Sequence, residues 1–207
     1  NIGFIKGHMC SPAIATQAED LIAGGVKELI HAGYAGGLRP ELVQGEIILT
    51  GGAFNDTAVA RLYGYDYELI RSSKDLTNEM ESMITSAEIP YKRGIHWTTD
   101  AGYRETWGQV MDYRDKGALC VEMEGVGLFT IANYRKCVAT GIYVVSDVYS
   151  ENDWKLGWEG NDIKRAVGAV IDMIIESMAY IKALQKLEQM ESIVAVSYTH
   201  LTLPTKA

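Results

Sequence analysis

Two glutamates stand two residues apart in an otherwise apolar stretch of the chain. The stretch, Cys-Val-Glu-Met-Glu-Gly-Val-Gly-Leu-Phe, covers residues 120–129 and places the carboxylates at Glu122 and Glu124. An ionised carboxylate is costly to bury without a partner, so these acids need a specific interaction. Because ionised carboxylates only accept hydrogen bonds, the two hydroxyls of a sugar diol are one candidate partner. An arginine or lysine, or the N-terminus of a helix beginning near Gly125, is the other.

A third acid, Asp147, follows the longest apolar run of the middle of the chain. Residues 137–146 read as a strand buried on both faces, and Asp147 stands at its predicted end. A carboxyl group at such an edge is partly removed from water, which makes it a candidate general acid. The alternative is a cap on a turn or helix.

Two polar or glycine-rich segments also follow predicted strands. His31–Leu38 contains Gly33, Gly36 and Gly37, and such loops can turn backbone N–H groups toward an anion, although they are also common turns. Thr98–Thr106 contains an aromatic ring that could stack on a flat ligand and an arginine that could hold a carboxylate or phosphate. The alternative for this second segment is a capped helix start with a solvated arginine.

The elements that must position these residues alternate between strand and helix. This alternation predicts an α/β layered domain, in which ligands bind beyond the carboxyl ends of the strands. The segments after His31, Thr99, Glu122 and Ser146 are therefore expected to converge. The predicted strands are 2–6, 27–31, 46–50, 94–99, 118–122 and 137–146, and the predicted helices are 12–24, 78–87, 106–116, 125–134 and 163–181.

Composition restricts the class of protein. The 207 residues are 47% hydrophobic and carry a formal net charge of −8, which disfavours binding to a nucleic-acid backbone. The three cysteines have no CxxC spacing, so a zinc or redox motif is not predicted and a reducing cytoplasm is the expected location. The apolar runs are all shorter than the ~18 residues that suggest a membrane span, so no membrane partner is expected.

Both ends of the chain depart from this pattern. The sequence opens at Asn1 directly in a strand-like run, from which we expect a domain over residues 1–195 that lacks its N-terminal strands. Residues 196–207 follow a charged helix and alternate threonine and leucine, so we expect a non-native tail there.

Four motifs in this order resemble the nucleoside phosphorylase family, which comprises the uridine and hexameric-type purine nucleoside phosphorylases and their nucleosidase relatives. The motifs are Ala-Gly-Tyr-Ala-Gly-Gly-Leu at 32–38, Thr-Thr-Asp-Ala-Gly-Tyr-Arg-Glu-Thr at 98–106, Val-Glu-Met-Glu-Gly-Val-Gly-Leu-Phe at 121–129 and Val-Ser-Asp at 145–147. The 121–129 motif is the most specific of them. The resemblance extends over roughly residues 2–190.

The resemblance implies a three-layer α/β/α sandwich around a central mixed, largely parallel sheet. It also implies roles for individual residues. Ribose would be held by Glu122, Met123 and Glu124, with Glu124 as the anchor of the hydroxyls. The base would contact Ala35, Gly36, Tyr103, Val121 and Asp147, phosphate would contact Gly33 and Tyr34, and Asp147 would be the catalytic residue that assists the leaving base.

The implied reaction is cleavage of a nucleoside by inorganic phosphate to give free base and ribose 1-phosphate. The Val-Ser-Asp motif resembles the members that act on purines, so a purine nucleoside is expected. The resemblance implies a homo-oligomer in the cytoplasm, with phosphate as cosubstrate and neither a cofactor nor a metal ion.

Four positions depart from the family pattern. His31 stands where an arginine is usual and Tyr34 where a serine or threonine is usual, both at positions that touch phosphate in the family. Cys10 replaces a usual glycine, and Gly102 replaces an aromatic residue of many members. A nucleosidase that uses water, or a non-catalytic nucleoside-binding relative, therefore stays open as an alternative.

Overall fold

The structure, a computed structural model, describes residues 3–150, 153–155 and 160–177. The strands are β1 (Glu28–Gly37), β2 (Ile47–Asp56), β3 (Leu69–Arg71), β4 (Tyr91–Thr99), β5 (Ala118–Glu122), β6 (Val138–Ser150) and β7 (Asp153–Lys155). The helices are α1 (Ser11–Ala23), α2 (Val59–Leu62), α3 (Lys74–Ser86), α4 (Trp107–Asp115) and α5 (Gly125–Arg135), with α6 at residues 161–177 and a 3₁₀ turn at Gly102–Arg104. The predicted α/β class is confirmed.

The strands form one mixed sheet in the order β3-β2-β4-β5-β1-β6-β7. The two longest ladders, β1 with β6 and β2 with β4, are parallel, as the resemblance implied for most of the sheet. Strand β2 also pairs antiparallel with β6, from Ile47↔Val144 to Thr50↔Gly141. This extra pairing joins β2, β4, β5, β1 and β6 into a closed ring, which the sequence did not predict.

Strand β5 and strand β1 meet only at their carboxyl ends. Their antiparallel register pairs Gly36 with Val121 and Gly37 with Cys120. The segments that follow these two strands therefore do come together, as predicted, although β1 and β5 run in opposite directions.

Helix α5 is buried on most of its surface. Its residues from Gly125 to Ala132 are all buried, and its apolar side chains share a core cluster with Ile14 of α1 and Val59 of α2. A Cβ on Gly127 would lie 2.5 Å from the carbonyl oxygen of Ser11, so a glycine is needed where α1 approaches. A helix with so few polar residues needs this enclosure on several sides.

Helix α6 covers another part of the ring. Ile163, Val170 and Ile174 lie in a buried cluster with side chains of β2 and β6, whereas Ile171 and Ile175 of the same predicted helix are exposed. Residues 178–181 of the predicted helix lie outside the described residues. In the described parts of the chain, no helix combines the length and apolarity needed to cross a membrane.

Three local predictions were wrong. Residues 3–6 form no strand, and the segment from Gly33 to Gly37 is not a loop but the second half of β1. Helix α3 begins at Lys74 rather than at Asn78. The side chains of Asn78 and Glu81, which have capping-box spacing, bind Arg93 of β4 instead.

Candidate active site

The Glu122 carboxylate ties the end of β5 to the start of α5. Its Oε2 atom accepts the backbone N–H groups of Glu124 and Gly125, each at 2.8 Å. Its Oε1 atom accepts the Thr98 hydroxyl of β4 and lies 3.0 Å from Nε2 of His96. Both oxygens are therefore engaged by the protein, and the side chain is 1% exposed. Neither oxygen of Glu122 is therefore left to accept the ribose hydroxyl that the resemblance implied. Glu122 instead binds the N-terminus of helix α5, which was the alternative.

A buried polar network holds Glu122 in place. The Thr50 hydroxyl lies 2.6 Å from Nδ1 of His96 and 2.8 Å from the carbonyl oxygen of Gly52. His96 thus lies between Thr50, at Nδ1, and Glu122, at Nε2. Burial opposes ionisation of Glu122, but the adjacent His96 and the Thr98 hydroxyl lower its pKa to about 2.

Gly125 is required by the same network. A Cβ at this position would overlap the His96 ring and lie 3.1 Å from Oε1 of Glu122. The glycine that follows the Glu-Met-Glu sequence thus lets helix α5 begin against the buried pair. This close approach explains why the apolar stretch of residues 120–129 contains a glycine immediately after its second acid.

Glu124 has a different environment from Glu122. It is partly exposed at the N-cap position of α5, and its Oε1 atom accepts the backbone N–H of Cys10 at 2.7 Å. The neighbouring Ser11 donates its hydroxyl to the carbonyl oxygen of Met123 at 3.0 Å. Cys10 and Ser11, at the start of α1, therefore bind Glu124 and Met123, two of the three residues that the resemblance assigned to a ribose.

Burial and the nearby charge of Glu122 raise the pKa of Glu124 to about 7. The backbone N–H of Cys10 acts in the opposite direction, since it binds the ionised form. Glu124 thus changes charge near neutral pH, whereas Glu122 stays ionised. The two acids in the opening motif have separate tasks.

Asp147 belongs to a second group of side chains, which we call the Asp147 cluster: Gly36, Glu105, Val121, Asp147 and Tyr149. Asp147 is buried and lies within β6, not at its end as predicted. A Cβ on Gly36 would lie 3.0 Å from Oδ2 of Asp147, 3.3 Å from Cγ1 of Val121 and 3.4 Å from Cε2 of Tyr149. The structure therefore brings together three of the residues assigned to the base, Gly36, Val121 and Asp147.

Glu105 and Tyr149 were missed by the sequence analysis. The Tyr149 hydroxyl donates to Oε2 of Glu105 at 2.7 Å. Burial and the charge of Asp147 raise the pKa of Glu105, while the bond from Tyr149 lowers it. Strand alternation offered a signal for Tyr149, because it lies two residues beyond Asp147 on the same face of the strand. Glu105 lies in an irregular segment and had no such signal.

The Asp147 cluster adjoins the residues around Glu124. A Cβ on Gly102 would lie 3.7 Å from Oε1 of Glu105 and 3.7 Å from Sδ of Met123. Met123 is next to Glu124 in the chain. One series of neighbours therefore extends from Glu124 through Met123 and Glu105 to Asp147.

The side chains of three other predicted site residues lie away from this site. Tyr103 is fully exposed on the 3₁₀ turn. Ala35 is buried in the core, where its carbonyl oxygen accepts the hydroxyl of Ser146. Tyr34 lines an apolar groove beside α6, with Ile142 and Val144, on the face of β1 opposite Ala35.

Gly33 lies over the interior of the ring. A Cβ on Gly33 would lie 3.4 Å from the His31 ring and 3.7 Å from Cδ1 of Tyr143. His31 in turn places Nδ1 3.3 Å from the Tyr143 hydroxyl. Burial lowers the pKa of His31, so its ring is neutral at pH 7 and offers no charge in place of the arginine that is usual there. In the parts of the chain that the structure describes, no group of three or more His, Cys, Asp or Glu residues is arranged to hold a metal ion.

Comparison with known proteins places the chain among enzymes of one family. The sequence profile of the Phosphorylase superfamily matches residues 4–176. A DeoD-type purine nucleoside phosphorylase of Exiguobacterium sibiricum is 32% identical over 139 residues, which are 66% of this chain and 59% of that protein. A DeoD-type enzyme of Caldanaerobacter subterraneus is 32% identical over 156 residues, which are 70% of this chain and 67% of that protein.

The fold agrees with these relatives. The crystal structure of purine nucleoside phosphorylase from Toxoplasma gondii in complex with immucillin-H superposes with a TM-score of 0.76 at 20% identity, over 85% of this chain and 72% of that one. The Plasmodium knowlesi homologue of P. falciparum PNP gives a TM-score of 0.69 at 23% identity, over 82% and 68% of the two chains. The chain spans 59% of the length of the Exiguobacterium relative. The match over residues 4–176 shows that this chain belongs to the Phosphorylase superfamily.

Proposed function

We propose that this protein cleaves the N-glycosidic bond of a purine nucleoside, with inorganic phosphate as the nucleophile. The observation that supports it best is the series of neighbours from Glu124 through Met123 and Glu105 to Asp147. Glu124, which could accept sugar hydroxyls, and Asp147, a candidate acid, are the two ends of this series, which supports the proposal. The purine nucleoside phosphorylases among the relatives support the same reading.

Glu124 would hold the sugar. Its Oε1 atom accepts the Cys10 N–H, and the residue is only partly buried. Ionised Glu124 can accept both hydroxyls of a ribose diol, with Met123 packing beside the ring. Holding the sugar in one orientation presents C1′ to the nucleophile. This lowers the entropic part of the activation free energy.

Asp147 would assist the leaving base. Positive charge develops on the ribose and negative charge on the base as the glycosidic bond lengthens, so a proton or hydrogen bond at purine N7 stabilises departure. Asp147 packs closely against Gly36, together with Val121 and Tyr149, in a space that leaves no room for a side chain on Gly36. The bond to C1′ is then completed by a phosphate oxygen, which gives ribose 1-phosphate.

Water is the second candidate nucleophile. Tyr34 faces the groove beside α6, and His31 is neutral at pH 7 because burial lowers its pKa. These two positions therefore supply neither the hydroxyl nor the positive charge that phosphate binding in the family implies. This observation favours a nucleosidase, in which the same Glu124 and Asp147 serve a hydrolysis.

Product analysis separates the candidates. The protein is incubated with inosine, adenosine or uridine, with and without phosphate, and the sugar product is identified by mass spectrometry. Ribose 1-phosphate that forms only with phosphate supports phosphorolysis, and free ribose at equal rates in both conditions supports hydrolysis. Binding of nucleosides without any product would support the non-catalytic alternative and refute the proposal.

A further inference from the structure

The Glu105–Tyr149 pair has no chemical role in the reaction above, and the resemblance assigns none to it. Glu105 lies in the segment between the 3₁₀ turn and α4, and Tyr149 lies near the end of β6. Their hydrogen bond of 2.7 Å joins two parts of the chain across the site. Because Tyr149 donates to Oε2, the other oxygen of Glu105, Oε1, is the one that lies near Gly102.

The pair stands directly beside Asp147. Oδ2 of Asp147 and the ring edge of Tyr149 both lie within 3.4 Å of the position that a Cβ on Gly36 would take. Tyr149 in turn holds Glu105 through the 2.7 Å hydrogen bond. A base whose edge reaches Asp147 would therefore meet the Tyr149–Glu105 pair beside it.

Two carboxyl groups side by side discriminate between purines by their hydrogen-bonding patterns. Adenine presents an acceptor at N7 next to a donor, the amino group on C6, whereas guanine presents acceptors at both positions. Hypoxanthine has the same carbonyl at C6 as guanine. If Asp147 donates a hydrogen bond to N7, the substituent on C6 of the base meets Glu105. Ionised Glu105 can only accept a hydrogen bond from that substituent.

We propose that Glu105, held by the Tyr149 hydroxyl, is a specificity-determining residue that accepts a hydrogen bond from the 6-amino group and selects 6-aminopurines over 6-oxopurines. The proposal rests on the proposed function for the placement of the base, and extends it by naming the class of purine. A 6-oxo group in the same place would put its oxygen against a carboxylate oxygen of Glu105. Two acceptors would then face each other, which is unfavourable.

The test measures base binding and turnover separately. Dissociation constants for adenine and hypoxanthine are measured by calorimetry with the wild-type protein, Glu105→Gln, Tyr149→Phe and a control, Glu79→Gln. Glu79 is an exposed carboxylate on α3. The ratio of kcat/KM for adenosine and inosine is measured with the same four proteins.

We expect wild type and the control to bind adenine about 10-fold more tightly than hypoxanthine, on the scale of one base-edge hydrogen-bonding pair. Glu105→Gln should lose this preference, because the amide can also donate to a 6-oxo group, and should keep or gain affinity for hypoxanthine. Tyr149→Phe should reduce the preference in part, since it removes only the bond that orients Glu105.

Equal binding of the two bases by wild type would overturn the proposal, and so would an unchanged ratio in Glu105→Gln. An equal loss of both bases in Glu105→Gln would also overturn it, because it would show a structural role. The two proposals can fail separately. Adenine selectivity that depends on Glu105, in a protein that cleaves no nucleoside, would refute the proposed function and support this inference.

Discussion

The two glutamates of the opening motif differ in ionisation because their partners differ. Glu122 has His96 and the Thr98 hydroxyl at one oxygen and two backbone N–H groups at the other, and its pKa is lowered to about 2. Glu124 has one backbone N–H from Cys10, and burial and the charge of Glu122 raise its pKa to about 7. The second glutamate is thus kept in the folded protein at a cost in stability, which is typical of a residue retained for function.

Replacing Glu124 with glutamine should lower activity. The amide has one acceptor oxygen and no charge, so it binds a ribose diol less well, and we expect kcat/KM for ribonucleosides to fall by about 10²-fold. Steady-state kinetics with the favoured nucleoside measures this. A variant with near-normal kinetics would show that Glu124 does not anchor the sugar.

The same substitution should stabilise the protein at high pH. The pKa of Glu124 rises from 4.5 to about 7 on folding, so the native state favours the protonated form. The cost of the ionised form is absent below pH 4.5, grows up to about pH 7 and is constant above it. We expect Glu124→Gln to raise the free energy of unfolding by about 2 kcal/mol at pH 8, after allowance for its partial exposure, and by little at pH 4.5. Urea unfolding at both pH values tests this.

Asp147 is the other residue whose role can be tested by a single change. Asp147→Asn should slow cleavage of purine nucleosides far more than cleavage of a nitrophenyl riboside, because the activated group leaves without a proton. The two rates are compared with the same enzyme preparations. Equal slowing of both substrates would show that Asp147 is structural, and faster cleavage of uridine than of purine nucleosides would contradict the purine preference.

At the scale of elements, the turn before α1 is strained where it supports the site. Cys10 has φ 72° and ψ 151°, a conformation that is nearly confined to glycine, and its N–H binds Glu124. We expect Cys10→Gly to raise the free energy of unfolding by about 1 kcal/mol because it removes this strain and keeps the backbone donor.

Cys10→Ala is the matched control, since alanine keeps the Cβ that causes the strain. Melting temperatures of the two variants are compared with wild type. The alanine variant should show no gain, and equal melting temperatures for the alanine and glycine variants would contradict the strain at this position.

The junction of β5 and α5 depends on Glu122. Glu122→Ala leaves the buried His96 without its carboxylate and two backbone N–H groups without their acceptor. Breaking a buried pair on one side costs about 3–5 kcal/mol, so we expect a loss of that size in the free energy of unfolding. Glu79→Ala, at an exposed carboxylate of α3, is the control. A loss in Glu122→Ala no larger than in this control would show that the network contributes little.

At the scale of the whole molecule, the closed ring of strands is what brings separate segments to one site. Strand β6 pairs with β1 on one side and with β2 on the other, so Asp147 and Tyr149 are held by the same ring that carries Glu122 on β5. Several contacts in the site join residues far apart in the chain, such as Cys10 with Glu124 and Glu105 with Tyr149. The site therefore requires the ring to be assembled.

Residues 196–207 lie outside the described residues, and the prediction that they are a non-native tail stays a prediction. A segment that packs on nothing contributes no buried area, so deleting it should leave the melting temperature unchanged. The deletion variant and the full chain are compared by calorimetry under one buffer condition. A clear fall in melting temperature would show that the tail belongs to the domain.

The sequence by itself determined the α/β class and most of the helices, and it identified the acids of the candidate site. Period and alternation are local properties, so the stripe of α6 and the strands around Glu122 and residues 138–146 could be predicted. The Glu-Met-Glu motif and Asp147 could be identified because their residue types are unusual in apolar surroundings.

Only the tertiary structure decided which partners, and hence which pKa, each of the two glutamates has. Glu122 and Glu124 are equivalent in sequence, and they differ because His96, Thr98 and Cys10 arrive from distant segments. The same reason explains the misplaced loop at residues 33–37, which is a strand because β6 pairs with it along its whole length. It also explains why Glu105 was missed, since hydrogen bonding and burial between distant segments leave no periodic trace in a sequence.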